Sequence, residues 1–236
     1  MTQDLHLSVP YLAVGGIKAL PEGRPTGIYK SPLSGTVVIG PDGLQGDAQA
    51  DRRVHGGPEK AVHLYPADHY AKLAAHFPEA AASLVVGSLG ENLSVPGVSE
   101  AEVCIGDVFA FGSARLQVSQ PRSPCWKIDS RHDQEGIAVF IADQGLTGWY
   151  FRVLEPGQAA PGDSLDLLQR NPDPISLAEL WRGWQEHRPA AEQLTRWATT
   201  PGLTPDWRRR LEQRLAWLQA NSGPAVGKTW HPRPQD

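Results

Sequence analysis

Apolar and polar positions alternate in short runs over the first two thirds of the chain. Residues 35–40 (Gly-Thr-Val-Val-Ile-Gly) form a β-branched run closed by Pro41-Asp42-Gly43, a turn signature. Residues 60–65 alternate, placing His63 and Tyr65 on one strand face and Val62 and Leu64 on the other. Residues 103–111 and 114–119 flank Gly112-Ser113 as a hairpin, and 149–154 and 164–168 read as two further strands. Two helices interrupt. Over 67–77, Tyr70, Leu73, Ala74 and Phe77 share one stripe, and over 133–142 Ile137, Phe140 and Ile141 do the same. Many short strands with few helices predict a mainly β fold, a closed or nearly closed barrel rather than a parallel sheet.

The pattern changes near residue 172. Most glycines lie before that point, and most tryptophans (Trp181, Trp184, Trp197, Trp207, Trp217 and Trp230) lie after it. The sign of the charge changes as well, from an acidic first part to a basic second part. Asn171-Pro172-Asp173-Pro174 reads as a linker. Beyond it, Ser176-Leu177-Ala178-Glu179 is a capping box, and Thr204-Pro205 opens a helix whose apolar stripe is Trp207, Leu211, Leu215 and Leu218. A third helix fits between them at about 189–199. The expected organisation is a barrel domain over 1–171, a small three-helix appendage over 176–221 and a loose Gly/Pro-rich tail over 222–236.

Composition narrows the function classes. A chain of 236 residues with 40% hydrophobic and 20% charged positions can bury a core unaided, which excludes disorder and coiled coil for its bulk. No apolar run reaches the roughly 20 residues of a membrane span, and no signal peptide is read at the start. Only two cysteines, Cys104 and Cys125, point to a reducing cytoplasm. A net charge of −4 argues against a large nucleic-acid surface. Neither a dinucleotide fingerprint nor a P-loop occurs.

The most informative stretch is Gln120-Pro121-Arg122-Ser123-Pro124-Cys125-Trp126-Lys127. Two prolines stiffen a loop that follows a predicted strand, and two cations flank its single thiol. Such a thiol suits a nucleophile or a soft metal ligand, although a small buried cysteine beside a proline turn is the common alternative. Cys104, within an apolar strand, is read as core. A second cluster runs from Gly46-Asp47 through Arg53-Val54-His55-Gly56-Gly57-Pro58-Glu59-Lys60 to His63. Arg53 and Lys60 suit phosphate, and the double glycine allows a close backbone approach. Lys30 could add another cation. Gly90-Glu91-Asn92-Leu93-Ser94 offers an acid and an amide, for a polar heterocycle or for a turn. Gly162-Asp163-Ser164-Leu165 spells a serine-hydrolase signature, but its place before a strand makes it a turn. The His and Cys spacings match no structural zinc site.

Taken together these residues resemble the MOSC domain family, and within it the bacterial YiiM type linked to resistance to 6-N-hydroxylaminopurine. The resemblance runs from about Lys18 to Gln169. It is carried by Gly43-Leu44-Gln45-Gly46-Asp47, Val54-His55-Gly56-Gly57-Pro58, Tyr65-Pro66, His69-Tyr70, Phe77-Pro78, Gly90-Glu91-Asn92-Leu93-Ser94, Gly106-Asp107 and, most specifically, residues 117–125. It implies a β-barrel with a C-terminal three-helix appendage that binds a molybdopterin-type molybdenum cofactor. Cys125 is then the molybdenum ligand. Arg53, His55 and His63 face the cofactor, and Lys30, Lys60, Asn92, Arg122 and Ser123 are its neighbours. The implied reaction is two-electron reduction of a small N-hydroxylated substrate to the amine, with release of water.

The residues fit that chemistry, with His55 or His63 as proton source. No flavin or nicotinamide motif and no iron–sulfur cysteine set is found, so electrons must come from a separate reductase. The basic, Trp-rich appendage is a candidate docking or homodimer surface. Two rivals stand beside this reading. Cys125 could be the nucleophile of a Cys–His hydrolase or sulfur-transfer enzyme, or the barrel could be a non-catalytic carrier of the cofactor or its sulfur.

Overall fold

The computed structural model describes residues 5–221, apart from the side chains of Arg53 and Val54. In chain order it runs β1 (His6–Ser8), β2 (Tyr11–Val14), β3 (Lys18–Ala19), β4 (Pro25–Thr26), β5 (Ser31–Pro32), β6 (Val37–Gly40) and β7 (Gly43–Leu44). There follow α1 (Arg52–His55), a 3-10 turn (Pro58–Lys60), β8 (Val62–Pro66), α2 (His69–His76) and β9 (Leu93–Val95). Next come β10 (Val108–Phe111), β11 (Ala114–Pro121), α3 (Lys127–His132), α4 (Ile137–Gln144), β12 (Trp149–Glu155), β13 (Gly157–Ala159) and β14 (Ser164–Gln169). Three helices follow: α5 (Leu177–Gln185), α6 (Ala191–Thr199) and α7 (Pro205–Ala220). The tail over 222–236, with Trp230, lies outside the described residues.

Nine strands form one sheet in the order β1-β14-β10-β11-β12-β8-β9-β2-β5, and β13-β6-β7 and β3-β4 form two small ones. All pairings are antiparallel except β8 with β9. The sheet curls strongly: β1 lies at one edge and β2 next to the other, yet only Val9 and Pro10 separate them in sequence. Three peptide steps span at most about 11 Å. The expected closed barrel is nevertheless not found. The strands at the two edges, β1 and β5, are three and two residues long and do not pair with each other. Pro10, without an N–H, stands where the chain leaves β1.

The hairpin across Gly112-Ser113 forms as expected, with Phe111 opposite Ala114. Its first strand is shorter than the sequence predicts. Gly106, at φ +83°, breaks the run, and the Asp107 carboxylate accepts the backbone N–H groups of Cys104 (2.8 Å) and Asn171 (3.0 Å). Residues 103–107 are therefore a buried turn. The α2, α4 and α6 helices lie within or close to their predicted ranges, whereas α3 carries no apolar stripe that announced it.

The alternation over β8 divides the core in two. Val62 and Leu64 enter the large cluster inside the curled sheet, and Tyr65 enters a smaller one with Tyr70, Leu73, Ile128, Ile137 and Ile141. The large cluster continues into the helices through Leu177, Leu180, Trp181, Trp184, Trp197 and Trp207. Two caps fix those helices: the Ser176 hydroxyl accepts from the Glu179 N–H at 3.0 Å and the Thr204 hydroxyl from the Trp207 N–H at 3.3 Å. Glu179 does not complete the capping box. Its carboxylate instead accepts from Trp197 Nε1 and Arg196.

Candidate functional site

A pocket opens where β8, β12 and the loops after β4, β7, β11 and before β9 meet. Its wall holds Lys30, His55, Lys60, His63, Asn92, Arg122 and Cys125 together with Asp47, Lys127 and Tyr150. Strand register brings two of these side by side: His63 in β8 pairs with Tyr150 in β12, and their rings lie 5.0 Å apart. Cys125 follows the irregular segment after β11, and its carbonyl accepts the Ile128 N–H at the start of α3. The thiol is free and half-buried.

The cations differ in how far they are already neutralised. Lys30 is buried and ion-paired with Asp47, whose other contacts are the Gly15 N–H and Gln49. Burial lowers the Lys30 pKa and the Asp47 charge opposes that. Burial likewise lowers Lys60, with Asp206 opposing. Arg122 is buried and donates one nitrogen, Nη2, to the Leu89 carbonyl at 3.2 Å, while Nη1 has no partner. Lys127 donates to the Pro25 carbonyl. Among the described residues, neither Arg122 nor Lys127 is ion-paired to an acid. The charge available to an anion therefore comes chiefly from these two.

Both histidines are kept neutral. Burial pushes His55 down to about 4, helped by Lys127, Arg122 and Lys60. Burial and then Arg122 hold His63 well below the usual imidazole range, and its Nε2 has no partner. At neutral pH neither is an imidazolium, so either could donate only the N–H of a neutral ring, which must then be resupplied.

Asn92 lines the pocket but serves the frame. Its Oδ1 accepts the His63 N–H at 3.0 Å and its Nδ2 donates to the Ala13 carbonyl at 3.1 Å, locking β8 to β2. Glu91 turns inward to a turn. Ser123 is half-buried and lies off the pocket wall. The Arg53 side chain lies outside the described residues. Asp163, in the hydrolase-like tetrapeptide, accepts the Ala160 N–H at 2.8 Å as a turn residue does. Sequence reasoning missed Tyr150, whose phenol is raised by burial and eased by Arg122; its position across from His63 depends on strand pairing. It also missed Asp47 as the partner of Lys30, although Gly46-Asp47 was conspicuous.

His132, away from the pocket, gives a pH test of the fold. Burial and then Arg131 push it down to about 4. In the unfolded chain it titrates near the reference 6.5, so between pH 6.5 and 4 the unfolded state binds the extra proton and stability falls with acidification. The full shift corresponds to roughly 3 kcal/mol, an upper bound. Urea unfolding between pH 7.5 and 4 should show a shallower loss in His132→Gln than in wild type. Parallel curves would exclude the effect.

The family model "MOSC domain" matches residues 51–166. The chain is 39% identical over 201 residues to "Protein YiiM" of Escherichia coli strain K12, covering 85% of this chain and 89% of that protein. The crystal structure of YiiM from Geobacillus stearothermophilus superposes with a TM-score of 0.76 at 30% identity, covering 89% of this chain and all of that one (100%). A segment of 144 residues is 40% identical to a protein named "Reductase" from Gibberella moniliformis, where it occupies 26% of the length. No helix among the described residues is long and apolar enough to cross a membrane. On sequence and structure together, the chain belongs to the MOSC domain family, in its YiiM branch.

Proposed function

We propose that this protein is a molybdenum-cofactor-dependent reductase that converts N-hydroxylated bases, such as 6-N-hydroxylaminopurine, to the amine with release of water. The observation that carries this reading is one pocket wall shared by a free thiol, two cations not paired to acids and two histidines held neutral. The residues fit the cofactor. Among the described residues no three His, Cys, Asp or Glu side chains gather to hold a metal ion. Cys125 therefore suits a metal that arrives with its own sulfur ligands, and a thiolate is a soft donor of the kind molybdenum takes. The unpartnered Nη1 of buried Arg122 is the complement of an anionic oxygen such as a pterin phosphate.

When bound, the cofactor supplies the two-electron change that breaks the N–O bond. The chain supplies the rest. Cys125 Sγ would hold the metal, and Arg122 and Lys127 would neutralise the phosphate, together with Lys60 and the Asp47-paired Lys30 of the same wall. The Tyr150 ring packs against His63, tilted by 37°. His63 and His55 offer N–H groups where the departing oxygen needs a proton. Each turnover consumes two electrons and two protons and yields one amine and one water. The electrons come from a separate reductase, since the sequence carries no flavin or nicotinamide motif and no iron–sulfur cysteine set. A Cys–His hydrolase is disfavoured: among the described residues Cys125 Sγ makes no hydrogen bond to either histidine.

Protein made in a host that synthesises the cofactor should contain about one molybdenum per chain. With a reduced electron carrier it should convert 6-N-hydroxylaminopurine to adenine. Full molybdenum content without reduction of any N-hydroxylated compound would instead make the protein a cofactor carrier.

A further inference from the structure

Three successive neighbouring rings beside the pocket each carry a buried polar atom without a partner: Nε2 of His63, the hydroxyl of Tyr65 and Nδ1 of His69. The two-residue period of β8 puts His63 and Tyr65 on one face, and His69 opens α2 three residues beyond the strand. The His63 and Tyr65 rings are 6.5 Å apart between centroids, and those of Tyr65 and His69 are 5.5 Å apart. None of the three atoms meets the next directly, so each step along these rings runs through a bridging water. The row continues from His69 Nε2 to Glu100 Oε2 at 2.8 Å, and Glu100 Oε1 accepts the Gly148 N–H at 2.6 Å. His69 and Glu100 also line a second cleft, walled by the C-terminal end of α4 and by Trp181 and Gln185 of α5. The row thus has the cofactor pocket at one end and a separate cleft at the other.

We propose that Glu100, His69 and Tyr65 form a buried proton-supply line that enters from this cleft and ends on His63. The inference rests on the reductase reading above, because that reaction consumes two protons per turnover. Packing alone leaves the row unexplained. Phenylalanine at 65 would fill the same apolar cluster without burying an unpartnered hydroxyl. His63 needs resupply because burial and Arg122 keep it neutral. The pocket wall carries Arg122 and Lys127, which repel a cationic proton carrier. In each transfer His69 gives one proton to the Tyr65 oxygen as the Tyr65 hydroxyl proton passes to His63, and solvent in the cleft returns a proton to the His69–Glu100 pair. No electrons move along the line; they reach the metal from the separate reductase. Tyr65, His69 and Glu100 touch no substrate and are positioning and relay residues.

Tyr65→Phe removes one oxygen atom and keeps the ring. In cofactor-loaded protein, molybdenum per chain and KM should match wild type, kcat should fall at least tenfold, and the solvent deuterium isotope effect on kcat should rise. Glu100→Gln should act in the same direction. In cofactor-free protein, the ring nitrogen resonances of His63 and His69 should both shift in Tyr65→Phe. An unchanged kcat and isotope effect would overturn the line, as would a loss confined to molybdenum content or KM, or resonance shifts limited to one ring or to neither. The resonance measurement needs no activity. A wild type that reduces nothing therefore sinks the reductase reading, while this measurement still decides whether the three side chains are connected.

Discussion

In Cys125→Ser, turnover of an N-hydroxylated purine is expected to fall by at least about a thousandfold, equivalent to about 4 kcal/mol of lost transition-state stabilisation. Molybdenum per chain should fall with it. The substitution changes one atom. A serine hydroxyl is a hard oxygen that stays protonated near neutral pH, whereas a cysteine sulfur is polarizable and ionises within reach of it. The fold gives little reason for a confounding loss of stability. Cys125 is half-buried, its contribution to the start of α3 comes from its carbonyl, and its sulfur has no hydrogen bond among the described residues. Wild type and variant should therefore unfold within a degree or two of each other. Cys104→Ser is the control. That thiol is buried, accepts from Arg170 Nη1 at 3.2 Å and lies in the turn pinned by Asp107, so its loss should affect stability and leave molybdenum content unchanged. Elemental analysis of the three proteins checks both statements. Equal molybdenum in wild type and Cys125→Ser would exclude the ligand role.

How much of this site can be read from sequence depends on the range of the interactions that build it. Local signals are legible. The hairpin at Gly112-Ser113, the alternation of His63 and Tyr65 and the caps at Ser176 and Thr204 each follow from a few neighbouring residues. The chemistry-bearing residues of three separate stretches also reach one pocket wall, apart from Ser123, and from Arg53, whose side chain is not described. Long-range pairing is what the sequence hides. The parallel contact of β8 with β9 and the position of Tyr150 opposite His63 join segments 29 and more residues apart, and no local pattern encodes them. The gap in the curled sheet has the same origin, because whether two edges pair depends on strands only two or three residues long. Charges were legible as types but not as states. The sequence offers Lys30 as a free cation and the histidines as titratable groups, whereas Asp47 lies against the lysine and burial keeps both imidazoles neutral.

Glu91→Ala should produce the largest loss of stability of any single change near the pocket, about 2–6 kcal/mol, from two buried donors left without an acceptor and a third, the Leu89 N–H, left with only the Tyr70 oxygen at 3.2 Å. The Tyr70 hydroxyl donates to Oε1 at 2.5 Å, the Gly87 N–H to the same oxygen at 2.7 Å, and the Leu89 N–H to Oε2 at 3.1 Å. Burial raises the Glu91 pKa and these donors oppose it. Truncation removes a costly buried charge, but it also opens a cavity and orphans the Tyr70 and Gly87 donors where water cannot easily reach, and the second effect is larger. Glu91→Gln should cost less, because its carbonyl can still serve Tyr70 and Gly87 while its amide faces the Leu89 N–H donor to donor. Tyr70→Phe removes the bond to Glu91 and the longer one that its oxygen accepts from the Leu89 N–H at 3.2 Å, but Glu91 still holds that N–H, so it should cost least, about 1–2 kcal/mol. Function should follow the same order. Glu91 shapes the segment that presents the Leu89 carbonyl to Arg122 and carries Gly90 into the pocket wall, where Ile28 leaves no room for a side chain. As that segment loosens, Arg122 loses its acceptor, and molybdenum content should decline from Tyr70→Phe through Glu91→Gln to Glu91→Ala. Urea unfolding and elemental analysis of the series check the ranking, and a Glu91→Ala protein as stable as Tyr70→Phe would refute it.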